Sequence, residues 1–142
     1  MVSCNDVATY ILQKLGPMTA MKLQKLVYYS QAWSLVWDEK PLFQESIEAW
    51  ANGPVAPALY RLHKGEYMLN DWPYGDSSKL NDEQRETIDA VLNFYGKKDS
   101  QWLSDLTHQE DPWITAREGL RPGERGNTEI SWAAMAEYYS SL

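Results

Sequence analysis

The stretch from Leu26 to Trp37 most strongly constrains how this chain folds, because nearly every residue in it is apolar. Only Ser30, Gln31 and Ser34 interrupt the apolar run. A helix that is apolar on every side has to be covered by neighbouring elements all round. We therefore predict a helix from Thr19 to Trp37 that forms the buried centre of the fold.

Apolar residues at helical spacing predict further helices before and after this central one. Each predicted helix starts at a residue type that caps helices or at a proline of the first turn. These start signals are Ser3 to Asp6, Thr19, Pro57, Asn81 with Gln84, Asp99, Asp111 with Pro112, and Ser131. The pattern predicts a mainly α fold of about six or seven helices, in a single compact domain covering residues 1–142.

One small two-stranded β element is also predicted. In Ser46–Trp50, two apolar residues alternate with a glutamate and a tryptophan, which is the period of a strand. The turn signal Asn52-Gly53-Pro54 follows. We expect the strand to pair near Thr128–Ile130 and to be supported by helices, because an isolated ribbon is marginal. Residues 65–80 show neither the helical nor the strand period, which predicts a long loop.

The charge balance argues against nucleic acid as the ligand. The chain has 20 acidic and 13 basic residues and a net charge of −7. Binding to phosphate backbones depends on Lys and Arg that displace counterions. A basic protein surface is the better electrostatic match for this chain.

Cysteine content and hydropathy indicate the compartment. Cys4 is the only cysteine, so neither an internal disulfide nor a cysteine-based zinc site can form. The N-terminus lacks a basic start followed by an apolar run, and no apolar stretch reaches the ~20 residues of a membrane span. We expect a cytoplasmic protein that has no membrane partner.

No catalytic motif is present. The sequence has no glycine-rich phosphate loop, no HExxH and no G-x-S-x-G. Its two histidines are His63 and His108. His63 is expected to have a surface or helix-capping role. We predict that the protein is not an enzyme and holds no cofactor or metal.

The segment around His108 leaves one alternative open. A metal could use His108 with Glu110 or Asp111, but such a site has only two or three ligands and no second histidine. The structural interpretation is that Asp111 caps a helix and His108 hydrogen-bonds to backbone or to a neighbouring acid.

Two pairs of residues on the central helix have both a structural and a functional interpretation. Tyr28 and Tyr29 are expected in the core, although ligand contact is the alternative. Lys22 and Lys25 lie three residues apart and therefore share one face. That face is expected to be solvated, or to contact an acidic group of a partner.

The loop at 65–80 is rich in aromatic side chains, which often anchor protein interfaces. The alternative is that the loop folds back and buries its own rings. The predicted partner-binding residues are three aromatic and three acidic side chains: Tyr67, Trp72, Tyr74, Glu66, Asp71 and Asp76.

Several short motifs occur in a specific order along the chain. They are Lys-Leu-Gln-Lys-Leu at 22–26, Tyr-Tyr at 28–29, Pro-Leu-Phe at 41–43, Ile-Glu-Ala-Trp at 47–50 and Gly-Pro-Val at 53–55. A later group comprises His108, Glu110, Pro112-Trp113 and Ala116-Arg117. This order resembles the bacterial and phage Panacea domain, the SocA-like antitoxin family.

The resemblance implies an antitoxin that neutralises a cognate toxin by protein–protein contact, and it supplies no catalytic residues. The implied partner is a toxin protein, with a basic surface as the electrostatic match. One alternative is an adaptor that hands the toxin to a host protease. Another is a phage or mobile-element protein with a metal-dependent or enzymatic role centred on His108 and Glu110.

Overall fold

Seven helices dominate the computed structural model, which describes residues 1–142. The helices are α1 (Cys4–Leu15), α2 (Ala20–Trp37), α3 (Pro57–His63), α4 (Asp82–Tyr95), α5 (Ser100–Thr107), α6 (Asp111–Ala116) and α7 (Trp132–Ser140). Four short strands complete the fold: β1 (Met18–Thr19), β2 (Glu48–Trp50), β3 (Gly53–Val55) and β4 (Met68–Leu69). The prediction of a mainly α protein is confirmed. No helix is both long enough and apolar enough to span a membrane.

The predicted capping residues start most of the helices. Side chains at N-cap positions accept backbone N–H groups at Ser3, Thr19, Asn81, Asp99 and Ser131. Helix α6 begins at Asp111 as predicted, but the prediction that Asp111 caps it is wrong, because Glu110 occupies the N-cap position and its side chain does not cap the helix. The Glu110 side chain turns towards the core instead.

Helix α2 is the centre of the fold, as predicted. It packs against α1, α4, α5 and α7 and against β3. Twelve of its 18 residues are buried. Tyr28 and Tyr29 are about 1% and 0% exposed, so both belong to the core. Because neighbouring elements cover α2 on every side, its residues are apolar all round the helix.

Gln31 attaches the segment after α2 to the helix. Its Oε1 accepts the N–H groups of Leu42 and Phe43 at 2.7 and 3.2 Å, and its Nε2 donates to the Phe43 carbonyl at 2.8 Å. Ser34 donates to the carbonyl of Lys40 at 2.8 Å. These polar side chains interrupt the apolar run because they satisfy the backbone of the returning chain.

The predicted contact of β2 with 128–130 is formed, but β2 also has a longer pairing that was not predicted. Its main partner is β3, in an antiparallel hairpin that pairs Glu48 with Val55. The predicted contact with 128–130 is an isolated bridge between Glu48 and Glu129. The sequence predicted that Gly53 lies in a turn after the strand. In the structure Gly53 begins the returning strand, at a positive φ of 126° that favours glycine.

The long loop contains a second small sheet. Strand β4 pairs antiparallel with β1, with Met18 opposite Leu69, and the Ala20 N–H donates to the Tyr67 carbonyl at 2.9 Å. One 3-10 turn follows at Ser77–Lys79. The loop is therefore tied to the start of α2, although its sequence shows no strand period.

Replacing Gln31 by Leu should destabilise the protein. The variant keeps the size of the side chain but leaves two buried N–H groups and one carbonyl without their partner. Each unsatisfied group costs about 1–3 kcal/mol, so we expect a loss of at least about 2 kcal/mol in urea unfolding. Gln44→Leu, at an exposed position, is the control and should change stability little. Equal stability of the two variants would contradict the role of Gln31.

Candidate functional site

Glu110 is a buried carboxylate that joins three helices. Its Oε1 accepts hydrogen bonds from the hydroxyls of Tyr29 on α2 and Tyr139 on α7, both at 2.7 Å. The Tyr139 hydroxyl also lies 3.0 Å from the Tyr28 hydroxyl. Burial raises the pKa of Glu110, and the two tyrosine hydrogen bonds oppose that rise. This carboxylate therefore serves the packing of α2, α6 and α7.

Trp113 contacts both a histidine, which stacks on its ring, and an arginine. The His108 ring lies 4.2 Å from the Trp113 ring, and the Arg117 guanidinium carbon lies 5.1 Å from it. Arg117 donates to the Ala49 carbonyl at 3.0 Å, and the Trp113 indole donates to the Trp50 carbonyl at 2.8 Å. The stack thus holds strand β2 against α6.

This geometry does not support the metal alternative. The Glu110 carboxylate is held by two tyrosines, whereas the His108 ring lies on Trp113 and its buried Nε2 makes no hydrogen bond. No three side chains of His, Cys, Asp or Glu come together as a candidate metal site. His108 forms a hydrogen bond with the backbone of Asn52, as the structural interpretation expected, and Nε2 forms none with a neighbouring acid.

Lys22 and Lys25 do not form the solvated face that their spacing predicted. Lys25 is fully buried, and its Nζ donates to the Pro54 carbonyl at 3.3 Å. Lys22 donates to the Gly96 carbonyl at 2.7 Å. Burial lowers the pKa of Lys25 to about 7. The prediction failed because β3 covers this part of α2. A side chain on Gly53 would lie 2.5 Å from the Lys25 stem.

His63 is buried rather than exposed, which corrects the surface prediction. Gln24 accepts the Ala56 N–H at 2.9 Å and donates to the Ala56 carbonyl, which fixes the orientation of its amide. Its Nε2 lies 2.9 Å from Nε2 of His63. The imidazole nitrogen must therefore accept this bond, which requires a neutral ring. Burial lowers the pKa of His63 and favours that form.

Trp72 is a core residue, so its prediction as an exposed partner anchor is wrong. Its side chain is only 3% exposed, and its indole donates to Asn5 at 3.1 Å. Its carbonyl accepts the Thr9 hydroxyl at 2.7 Å. The loop folds back on α1 at this point, and the apolar ring supplies the contact area.

The other predicted partner residues remain at the surface. Tyr67 is 76% exposed and Tyr74 is 52% exposed. Glu66 and Asp71 are exposed as well. Asp76 is exposed, but its carboxylate already accepts the N–H and hydroxyl groups of Ser78. A partner-binding role for these residues stays a prediction.

A cleft lies beside Tyr67, between the start of α2, the β2–β3 hairpin and α3. Its volume is about 730 Å³. Trp50 and Tyr60 form one wall, with ring centroids 4.8 Å apart in an edge arrangement. Glu66, next to Tyr67, lines the rim. We call this feature the hairpin cleft. Sequence reasoning missed it because its residues come from four separate segments.

A family model, described as the SocA-like antitoxin Panacea domain, matches residues 23–114 and so covers most of the ordered motifs. The chain belongs to this family. Antitoxin SocA of Caulobacter vibrioides (strain NA1000 / CB15N) is 28% identical over 135 residues, which cover 83% of this chain and 72% of that relative. No solved structure matches the chain. Membership in the family supports an antitoxin role.

Trp72→Ala should destabilise this family member strongly. Truncating a buried tryptophan costs about 3–5 kcal/mol, through lost apolar burial and the cavity that remains. Tyr74→Ala is the control, because half of that ring is already in solvent, and we expect a much smaller change. Urea unfolding of both variants measures the difference. An unchanged midpoint for Trp72→Ala would show that the ring is not a core residue.

Lys25→Met should change how stability depends on pH. The folded pKa of about 7 lies below the ordinary 10.5, so the unfolded chain binds more protons between these values. Wild-type stability therefore rises with pH across this window. The variant lacks this contribution. Any gain in the free energy of unfolding of Lys25→Met over wild type should therefore be largest near pH 7. That difference should shrink by up to about 1.4 kcal/mol for each pH unit above 7.

Denaturant unfolding at several pH values across that window measures the effect. The control is Lys79→Met, which removes an exposed lysine and should keep the wild-type slope. Identical slopes for Lys25→Met and wild type would contradict a Lys25 amine whose pKa is lowered by burial.

Proposed function

We propose that this protein neutralises a cognate toxin by binding it directly, without catalysis. The observation that carries this proposal is where the family motifs lie. Polar motif side chains such as Gln24, Lys25, Glu110 and Arg117 are buried and bound to groups of the chain itself. These residues build a scaffold, which leaves the exposed side chains for contact with a partner.

The loop beside α3 supplies the proposed contact surface. Tyr67 and Tyr74 offer exposed aromatic area, and such rings are frequent hot spots of interfaces. Glu66 and Asp71 add negative charge next to them, on a chain of net charge −7. A toxin with a basic surface would meet this loop faster because opposite charges steer encounter. We place the complex in the cytoplasm, where the free thiol of Cys4 stays reduced.

Co-expression with the product of the adjacent gene tests the proposal. We expect the neighbour to arrest growth when expressed alone, and this chain to restore growth and co-purify with it. Tyr67→Ser should weaken binding about tenfold or more, as loss of a hot spot does. Phe94→Ser is the matched control, since Phe94 is a 60% exposed aromatic residue on α4.

Two outcomes would change the conclusion. A harmless neighbour that does not co-purify would contradict the proposed function. A toxin whose half-life falls when this chain is present would favour delivery to a host protease over simple blocking. Pulse-chase labelling with and without the chain distinguishes these two mechanisms.

A further inference from the structure

The hairpin cleft contains polar side chains that make no hydrogen bond or ion pair within the protein. Four of them are Tyr60, which is half-buried, and Asn52, Asn127 and Arg125, which are exposed. The Tyr60 hydroxyl, two primary amides and a guanidinium group therefore remain available. By contrast, the cleft-lining Gln24 side chain is fully engaged with Ala56 and His63. The cleft thus concentrates unused hydrogen-bonding capacity in one place.

An aromatic wall with a fixed orientation faces these groups. The Trp50 indole donates to Oε1 of Glu48 at 2.8 Å, which anchors its ring. Tyr60 meets that ring at 69°. Both side chains are half-buried, so each keeps area for a ligand. The cleft volume of about 730 Å³ is within the range in which proteins bind ligands.

The charges of the cleft select among ligands. Glu66 and Arg125 both line it, have opposite sign, and are in no ion pair. A phosphate or another compact anion would be repelled by Glu66 and Glu48. The amides of Asn52 and Asn127 each present a donor beside an acceptor, which matches the N–H and C=O of a peptide group. These features together fit a peptide better than a small anion.

We propose that the hairpin cleft binds a short extended segment of the partner toxin. The Asn52 and Asn127 amides hold its main chain, and an aromatic or long aliphatic side chain packs against Trp50 and Tyr60. Glu66 and Arg125 pair with charges of the segment. Because Glu66 adjoins Tyr67, the cleft continues the loop surface described above. This inference rests on the proposed function and adds the conformation and chemistry of the bound segment.

Binding of the purified toxin to cleft variants tests the inference. Arg125→Glu reverses an exposed charge in the cleft, and Tyr60→Ser removes half of the aromatic wall. Each should weaken toxin binding about tenfold or more. Arg121→Glu is the matched control, because Arg121 is an exposed arginine of the same loop that does not line the cleft. If Tyr60→Ser folds poorly, the test is the difference in toxin binding between Arg125→Glu and Arg121→Glu.

Short overlapping peptides that cover the toxin sequence provide the second arm. We expect one peptide window to bind wild type and to lose about tenfold or more in affinity with Arg125→Glu. Toxin binding that is unaffected by both cleft variants would overturn the inference and leave the proposed function intact. If the cleft variants weaken toxin binding but no peptide binds, the proposal of an extended segment is overturned, because a folded surface of the toxin would then occupy the cleft. A toxin that does not bind wild type would overturn both.

Discussion

The whole structure depends on a central helix that has to be covered on every side while carrying polar side chains. Helix α2 buries Gln24, Lys25, Ser30, Gln31 and Ser34 among its apolar residues. A buried polar group without a hydrogen bond costs several kcal/mol, so each of these side chains needs a partner. The partners are mostly backbone groups of surrounding segments. Covering α2 and satisfying its polar groups are therefore accomplished by the same packing.

This arrangement gives the family motifs a physical meaning. Gln24 binds the start of α3, Lys25 binds the hairpin, and the motif residue Phe43 is bound by Gln31 of α2. Glu110 connects α2 with α7 through Tyr29 and Tyr139. A motif of charged and amide side chains suggests an active site when it is met in a sequence. Here those side chains connect α2 to the segments packed around it. Their hydrogen bonds hold the helices together although the two sheets are very small.

A scaffold held from inside leaves its surface free to vary. The loop with Tyr67 contributes Leu69, Trp72 and Leu80 to the core, and Trp72 anchors it to α1, while its other aromatic side chains, Tyr67 and Tyr74, stay exposed. Changes at exposed positions generally cost little stability. A partner surface built on such positions can be altered without loss of the fold, which suits a protein that works through contact.

Local chemistry in the sequence determined where the helices start and which one is central. The caps at Ser3, Thr19 and Asn81 act through neighbouring backbone groups, so they are readable from a few residues. The tertiary structure alone decided the burial of Lys25 and His63, and the contact of β2 with β3. Whether a polar side chain is solvated depends on which distant segment covers it, and spacing along one helix carries no information about that segment. The hairpin cleft has the same origin, because its lining residues come from four separate segments that meet only in the folded structure.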